Sequence, residues 1–165
     1  MRDYKGLCKK ILCLLVAAVI TISVVEPALA ATKGYYFSYN KAKATPGQSA
    51  AAFLKAAGEA DSVKKTNSCA TKGYDYTYEY KGFTIVTYTN TKKKNAKEYV
   101  SSIKITSSDV KTAEGITIGT KESTVKKKYK NAKKKFGVYS HKKGKTIINI
   151  TVEKKKVTAI EIIKA

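Results

Sequence analysis

The sequence predicts an α+β fold built from two tandem repeats, each a helix followed by antiparallel strands. The main observation is that YKGFTIVTY (residues 80–88) and KKGKTIINI (142–150) align at their glycines. YVSSIKIT (99–106) aligns in the same way with KVTAIEII (156–163). A helix signal precedes the strands in each copy. These alignments place the first repeat at residues 31–110 and the second at 111–165. Internal repeats of this kind usually indicate a stacked scaffold.

Residues 1–30 are predicted to be a secretory signal peptide. A basic start is followed by an apolar run over residues 11–25, then by Pro27 and the small residues of Ala28-Leu29-Ala30. This order predicts cleavage after Ala30. An uncut membrane anchor is the alternative, but the apolar run is shorter than the roughly twenty residues that span a bilayer. No second apolar run follows, so we expect a secreted or cell-wall-associated protein without a transmembrane anchor.

The first repeat opens with a short strand at residues 35–39 and a helix at Thr45-Pro46-Gly47-Gln48, a capping-box pattern. Gly58 is placed to end this helix. Three alternating segments after it predict strands at residues 74–80, 83–88 and 99–106. The apolar face of the helix is formed by Ala50, Phe53, Leu54 and Ala57.

In the second repeat, Ile116 and Ile118 precede a helix predicted near residues 121–131. Alternation then predicts strands at residues 136–140, 145–152 and 157–163. The inward residues of the predicted strands in both repeats are Ile103, Ile105, Ile148, Ile150, Val152, Ile160 and Ile162.

The strand at residues 74–80 has four tyrosines on one side. They are Tyr74, Tyr76, Tyr78 and Tyr80, and we call them the tyrosine strip. If the strip faces the core, each phenol hydroxyl needs a hydrogen-bond partner. If it lies on an open face, it forms an aromatic surface suited to a protein or sugar, which Tyr88 could extend. Both interpretations stay open.

Charge is the second candidate for function. Residues 31–165 contain 29 lysines, no arginine and ten carboxylates, a net charge of +19. Arginine is the usual residue for reading bases and phosphates, so a sequence-reading nucleic-acid protein is not expected. The charge suits a diffuse anionic polymer or lipid of a cell envelope. The alternative is that lysine serves only solubility.

The densest positive charge is predicted on the second helix. Residues three and four apart share a helix face, so five lysines are expected to form a ridge that repels itself. An anionic partner would relieve that repulsion, whereas an ordinary solvated helix face is the alternative. The five are Lys126, Lys127, Lys130, Lys133 and Lys134.

No catalytic or metal-binding pattern is found in the sequence. Cys69 is the single cysteine after residue 30, and we expect it to be buried, with an intermolecular disulfide or a reactive thiol as alternatives. His141 is the single histidine, and a Cys69–His141 pair is not expected. Paired carboxylates, phosphate loops and metal-ligand clusters are absent. We therefore expect a non-enzymatic protein with no cofactor and no metal.

Two tandem units in this order, with GITIG at residues 115–119 and GYDYTY at residues 73–78, resemble the β-lactamase inhibitory protein fold. They resemble still more the exported tandem-repeat proteins of anaerobic Gram-positive bacteria. The resemblance implies one antiparallel sheet shared by both repeats, helices on one face, and a concave aromatic face for a protein partner. It also implies a binding role for Asp75, because the inhibitor has an aspartate beside tyrosines.

The expected function is that of an exported binding module that contacts an extracellular protein through the tyrosine-lined sheet. The residues expected to carry it are Tyr74, Asp75, Tyr76, Tyr78, Tyr80 and Tyr88. The alternative is an envelope-associated protein whose lysines bind anionic wall polymer or lipid head groups.

Overall fold

The computed structural model describes residues 34–165, and this part of the chain is mostly β-structure. Strands account for 48% of it and helix for 11%. The predicted signal peptide at residues 1–30 lies outside the described residues. In chain order the elements are β1 (Phe37–Tyr39), β2 (Ala42–Ala44), α1 (Ala51–Ala57), β3 (Ser62–Asn67), β4 (Tyr74–Tyr80), β5 (Phe83–Thr89), β6 (Glu98–Ile105), α2 (Glu122–Lys128), β7 (Lys133–Lys135), β8 (Val138–Lys143), β9 (Thr146–Glu153) and β10 (Lys156–Lys164).

Eight of the strands form one antiparallel sheet in the order β3-β4-β5-β6-β10-β9-β8-β7. Most neighbours are consecutive hairpins, whereas β6 and β10 come from distant parts of the chain and meet at the centre. Residues 102–105 of β6 pair with residues 160–163 of β10. β1 and β2 form a separate two-stranded hairpin.

One face of the sheet, the covered face, carries the core. Phe83 on β5 lies 4.8 Å from Phe37 of β1 and 6.1 Å from Phe53 of α1, measured between ring centroids. Val125 of α2 is fully buried in the same core. On the opposite face, called the uncovered face, even apolar residues such as Val86, Ile147 and Ile163 stay partly exposed.

The predicted alternation of the central strands is confirmed. All seven isoleucine and valine residues predicted to point inward are buried. Two bulges adjust the phase of the alternation, one between β5 and β6 and one between β9 and β10. The second lets Val157 and Ile160 share the covered face although they are three residues apart.

The predicted fold class is wrong. The chain does not form two helix-plus-sheet repeats, because each helix has only seven residues and most of the chain joins the large sheet. Residues 116–118 do not form a strand. Helices this short are not stable on their own in water. They are stabilised by packing of Phe53 and Val125 into the core.

The predicted capping box does not start α1. The helix begins at Ala51, and its N-cap Ala50 makes no side-chain cap. The segment before it instead continues the sheet: the Gly47 amide donates to the Val100 carbonyl at 2.7 Å, and the Val100 amide donates to Gln48 at 2.8 Å. Pairing with β6 satisfies these backbone groups, so no cap is needed. Gly58 does end the helix, with φ of +81°.

Three strands were not predicted from the sequence, and two of them form the edges of the sheet. β3 reads SVKKTN and β7 reads KKK, so neither shows apolar alternation. All residues of both strands are exposed. Lysines on edge strands discourage pairing with a second molecule. Part of the lysine content therefore protects the two free edges.

Candidate functional site

All four tyrosines of the strip point to the covered face, and the two nearer the β4–β5 turn, here called the inner half, pack against the core. Tyr78 and Tyr80 of β4 lie opposite Ile85 and Phe83 of β5. The Tyr80 ring stacks on Phe83 with 4.7 Å between centroids, and its hydroxyl donates to the Gly58 carbonyl at 3.3 Å. These contacts make this half of the strip part of the fold.

Glu98 of β6 holds the Tyr78 hydroxyl. Its Oε2 accepts from Tyr78 at 3.0 Å and from Thr87 Oγ1 at 2.6 Å. Burial, followed by this hydrogen bond to Glu98, raises the pKa of the Tyr78 phenol. The hydroxyl therefore stays protonated and is already engaged within the protein.

The outer half of the strip is occupied by lysines of the same chain. Lys65 Nζ lies 3.8 Å from the Tyr74 ring centroid and 5.6 Å from that of Tyr76. Lys92 Nζ lies 5.4 Å from the Tyr74 ring. These are cation–π distances, so lysines already contact the rings that a partner would need.

Asp75 and Tyr88 lie on the uncovered face, away from the strip. Their Cα atoms are partners in the β4–β5 pairing, and Tyr88 packs beside Tyr99 with centroids 5.7 Å apart. The structure therefore divides the six predicted binding residues between two faces of the sheet. Asp75 itself lies within strand β4.

The predicted lysine ridge does not lie on one helix, since α2 ends at Lys128. Lys126 and Lys127 are helical, Lys130 lies in the following turn, and Lys133 and Lys134 belong to β7. Tyr129 terminates the helix with φ of −118° and ψ of 63°. Like charges three and four residues apart disfavour further helix, whereas the edge of the sheet accepts the next lysines.

Glu122 compensates two of these lysines. Its Oε1 lies 2.9 Å from Lys134 Nζ and 3.6 Å from Lys126 Nζ, and it accepts a hydrogen bond from the Tyr139 hydroxyl. The bonds from Lys134 and Tyr139 lower the pKa of Glu122 from its ordinary value of 4.5 to about 2. The carboxylate thus joins α2, β7 and β8.

We predict that Glu122 makes stability depend on acid pH. Its folded-state pKa is depressed, so its contribution is present above pH 4.5 and is lost as the pH falls toward 2. Urea unfolding between pH 6 and pH 2 should show the difference between the wild type and Glu122→Gln shrinking over that window. Glu79→Gln, which changes an exposed carboxylate on β4, is the control. A Glu122→Gln difference that stays constant with pH would contradict the assignment.

A cluster at one end of the sheet, here called the basic rim, was predicted only in part, since Lys126, Lys133 and Lys134 belong to the predicted ridge. It brings together the β7–β8 turn, the β9–β10 turn and the start of α2. The Val152 amide donates to the Gly137 carbonyl at 2.9 Å, and the Glu122 amide donates to the Lys155 carbonyl at 2.9 Å, which ties the three together. Its members are Lys121, Lys126, Lys133, Lys134, Lys135, Phe136, Lys154, Lys155 and Lys156.

Two turns of the basic rim have unusual backbone geometry. Both are two-residue hairpin loops with positive φ throughout: Phe136 at 48° and Gly137 at 80°, then Lys154 at 46° and Lys155 at 64°. Such turns favour Asn-Gly, and lysine or phenylalanine at these angles is uncommon. The predicted strand at residues 136–140 is wrong at its start, because Phe136 forms the turn. Two lysine triplets, at residues 133–135 and 154–156, are the sequence signal that could have indicated the site.

Cys69 and His141 do not form a pair. Cys69 is exposed in the β3–β4 turn, so the expected burial is wrong. His141 lies on β8, separated from β4 by four strands, and five strand spacings span roughly 24 Å. Its Nδ1 is 2.6 Å from the Tyr35 hydroxyl, whose pKa burial raises to about 12. His141 is therefore engaged in the core.

Within residues 34–165, no group of histidine, cysteine and carboxylate side chains is arranged to hold a metal ion. In the same residues no helix is both long and apolar enough to cross a membrane. Comparisons with protein-family models, curated proteins and solved structures found no match. The resemblance to the inhibitory protein fold therefore stays a prediction.

Proposed function

We propose that this protein is an exported, non-enzymatic binding protein whose lysines hold it on an anionic surface of the cell envelope. The observation that carries the proposal is uncompensated charge. Residues 34–165 contain 28 lysines and ten carboxylates, a net +18. Among these described residues only Lys126 and Lys134 form ion pairs, both with Glu122, leaving 26 lysines without one.

Unpaired lysines on this scale favour a polyanionic ligand. A compact chain with this net charge repels itself, and a ligand with many negative groups lowers that repulsion at each contact. Lysine provides a hydrated point charge without fixed geometry, which suits a ligand with irregular spacing of its charges. The repeating phosphates of a wall polymer and the head groups of an anionic bilayer both meet this description.

A second candidate is recognition of a protein partner through the uncovered face. Its support is the half-buried Tyr88–Tyr99 pair on that face. Val86, Ile147 and Ile163 of neighbouring strands on the same face are also only partly covered. Aromatic residues on a surface are typical of protein interfaces. The tyrosine strip supports this candidate less, because the Tyr78 and Tyr80 hydroxyls already bond within the chain and lysines lie over the other two rings.

Salt dependence tests the proposal. Residues 31–165, which form one compact unit, would be added to isolated Gram-positive envelope before and after removal of its anionic polymer. For a ligand of DNA-like charge density that releases three counterions, affinity should fall about 100-fold between about 0.1 M and about 0.5 M salt. Binding by the uncovered face should persist.

Two triple substitutions compare regions with equal change of charge. Lys154→Gln, Lys155→Gln and Lys156→Gln neutralise the basic rim, and Lys92→Gln, Lys93→Gln and Lys94→Gln neutralise an exposed loop at the opposite end of the sheet. A larger loss of retention for the first set would place the binding surface at the basic rim. Equal losses would mean that binding depends on the total charge and not on one region. Retention unaffected by salt and by both sets would contradict the proposal.

A further inference from the structure

Phe136 is the feature of the basic rim that charge alone does not explain. The residue is 93% exposed, against 55% for Val63, the other large apolar residue on the surface of the described chain. Its φ of 48° is a conformation that bulky residues rarely adopt, because the side chain crowds the backbone. Strained backbone of this kind tends to occur where a side chain has a function.

The exposed ring stands among lysines. Lys133, Lys134 and Lys135 precede it on β7, and Lys135 Nζ lies 5.2 Å from its centroid. The neighbouring hairpin contributes Lys154, Lys155 and Lys156, which with Lys121 and Lys126 line a groove beside α2. Glu122, the acidic residue in that groove, is already held by Lys126 and Lys134. The rim therefore combines one highly exposed aromatic ring, which only its neighbour Lys135 contacts among the lysines described above, with a concentration of positive charge.

We propose that the basic rim docks on an anionic lipid bilayer and inserts Phe136 into the head-group region. This inference rests on the proposed function and selects the bilayer as the surface. A soluble polyanion would contact the lysines but would leave the ring in water. The membrane interface accepts both groups, since apolar side chains including Phe bury at the boundary of head groups and acyl chains, and basic residues are attracted to the negative leaflet. The lysine stems can lie along the apolar boundary with their ammonium groups in water.

Vesicle sedimentation tests the docking. Residues 31–165 would be mixed with phosphatidylcholine vesicles, with or without about a third phosphatidylglycerol, and in parallel with soluble polyphosphate. Phe136→Asn is the main variant, because asparagine tolerates positive φ and keeps the turn. We expect it to weaken binding to anionic vesicles about tenfold and to leave polyphosphate binding unchanged. Val63→Asn, at the opposite edge of the sheet, should change neither.

The lysine triplets and a fluorescent reporter complete the test. Neutralising Lys154, Lys155 and Lys156 should weaken vesicle binding about 100-fold, and the Lys92, Lys93 and Lys94 set should weaken it less. The chain has no tryptophan, so Phe136→Trp introduces a single reporter whose emission should shift to the blue on anionic vesicles.

The outcomes separate this inference from the proposed function. Binding to polyphosphate without binding to vesicles would overturn the docking and leave the function standing. An unshifted Phe136→Trp emission with bound protein, or wild-type vesicle binding by Phe136→Asn, would also overturn the docking. Absence of binding to vesicles, polyphosphate and envelope would overturn both.

Discussion

Replacing Phe83 with alanine is expected to lower the free energy of unfolding by about 3–5 kcal/mol. Phe83 is fully buried, and its ring lies within 5 Å of three others: Tyr80 at 4.7 Å, Phe37 at 4.8 Å and Tyr39 at 4.9 Å between centroids. Removing the ring leaves a cavity between the sheet and the β1–β2 hairpin that several rigid neighbours line. Urea unfolding followed by circular dichroism measures the loss.

The matched control is Val86→Ala on the same strand. Val86 lies on the uncovered face and is only half-buried, so its truncation should cost less than about 1.5 kcal/mol. Equal losses for the two variants would show that the core does not lie on the face assigned to it.

Gly73→Ala is expected to destabilise the fold by roughly 2–4 kcal/mol, combining overpacking with one or two lost hydrogen bonds. A Cβ at Gly73 would overlap the carbonyl oxygen of Thr89 at the end of β5. That residue also accepts from Thr71 Oγ1 at 2.6 Å and, through its own hydroxyl, from the Tyr74 amide at 2.8 Å. Moving it would disturb both bonds.

Thermal and urea unfolding of Gly73→Ala measure this cost, and Lys72→Ala is the control. Lys72 is the exposed neighbour of Gly73, so its truncation should change stability by no more than about 0.5 kcal/mol. A Gly73→Ala variant as stable as the wild type would mean that β4 and β5 do not approach as closely as described.

The alternation of side chains in the sequence was enough to predict the central strands of the sheet but not its two edge strands. β4 was predicted with its observed bounds because it alternates over seven residues, and β9 within one residue because it alternates over eight. β10 was also predicted within one residue, although its alternation shifts at the bulge after Val157. Neither side of β3 or β7 packs against the core, so their sequences lack the apolar alternation that would predict a strand. The second helix was predicted to end too late, because Tyr129 and Ala132 continue the apolar spacing of a helix although α2 ends at Lys128.

The candidate site was predictable in composition but not in position. The lysine triplets are visible in the sequence, yet their meeting at one end of the sheet depends on β7 and β10 lying in the same sheet. The tyrosine strip was identified correctly as one side of one strand. Which side faced the core depended on the register with β5, which pairs Tyr80 with Phe83 and Asp75 with Tyr88. That register is a property of the folded chain.

The lysine-coated edges link attachment to self-association. The outer edges of β3 and β7 have no neighbouring strand, and repulsion between their lysines disfavours strand-to-strand pairing of two copies. An anionic surface that neutralises those lysines removes the repulsion while it concentrates the protein in two dimensions. On the anionic surface proposed above, the same charge would set both where the protein is held and how closely its copies pack.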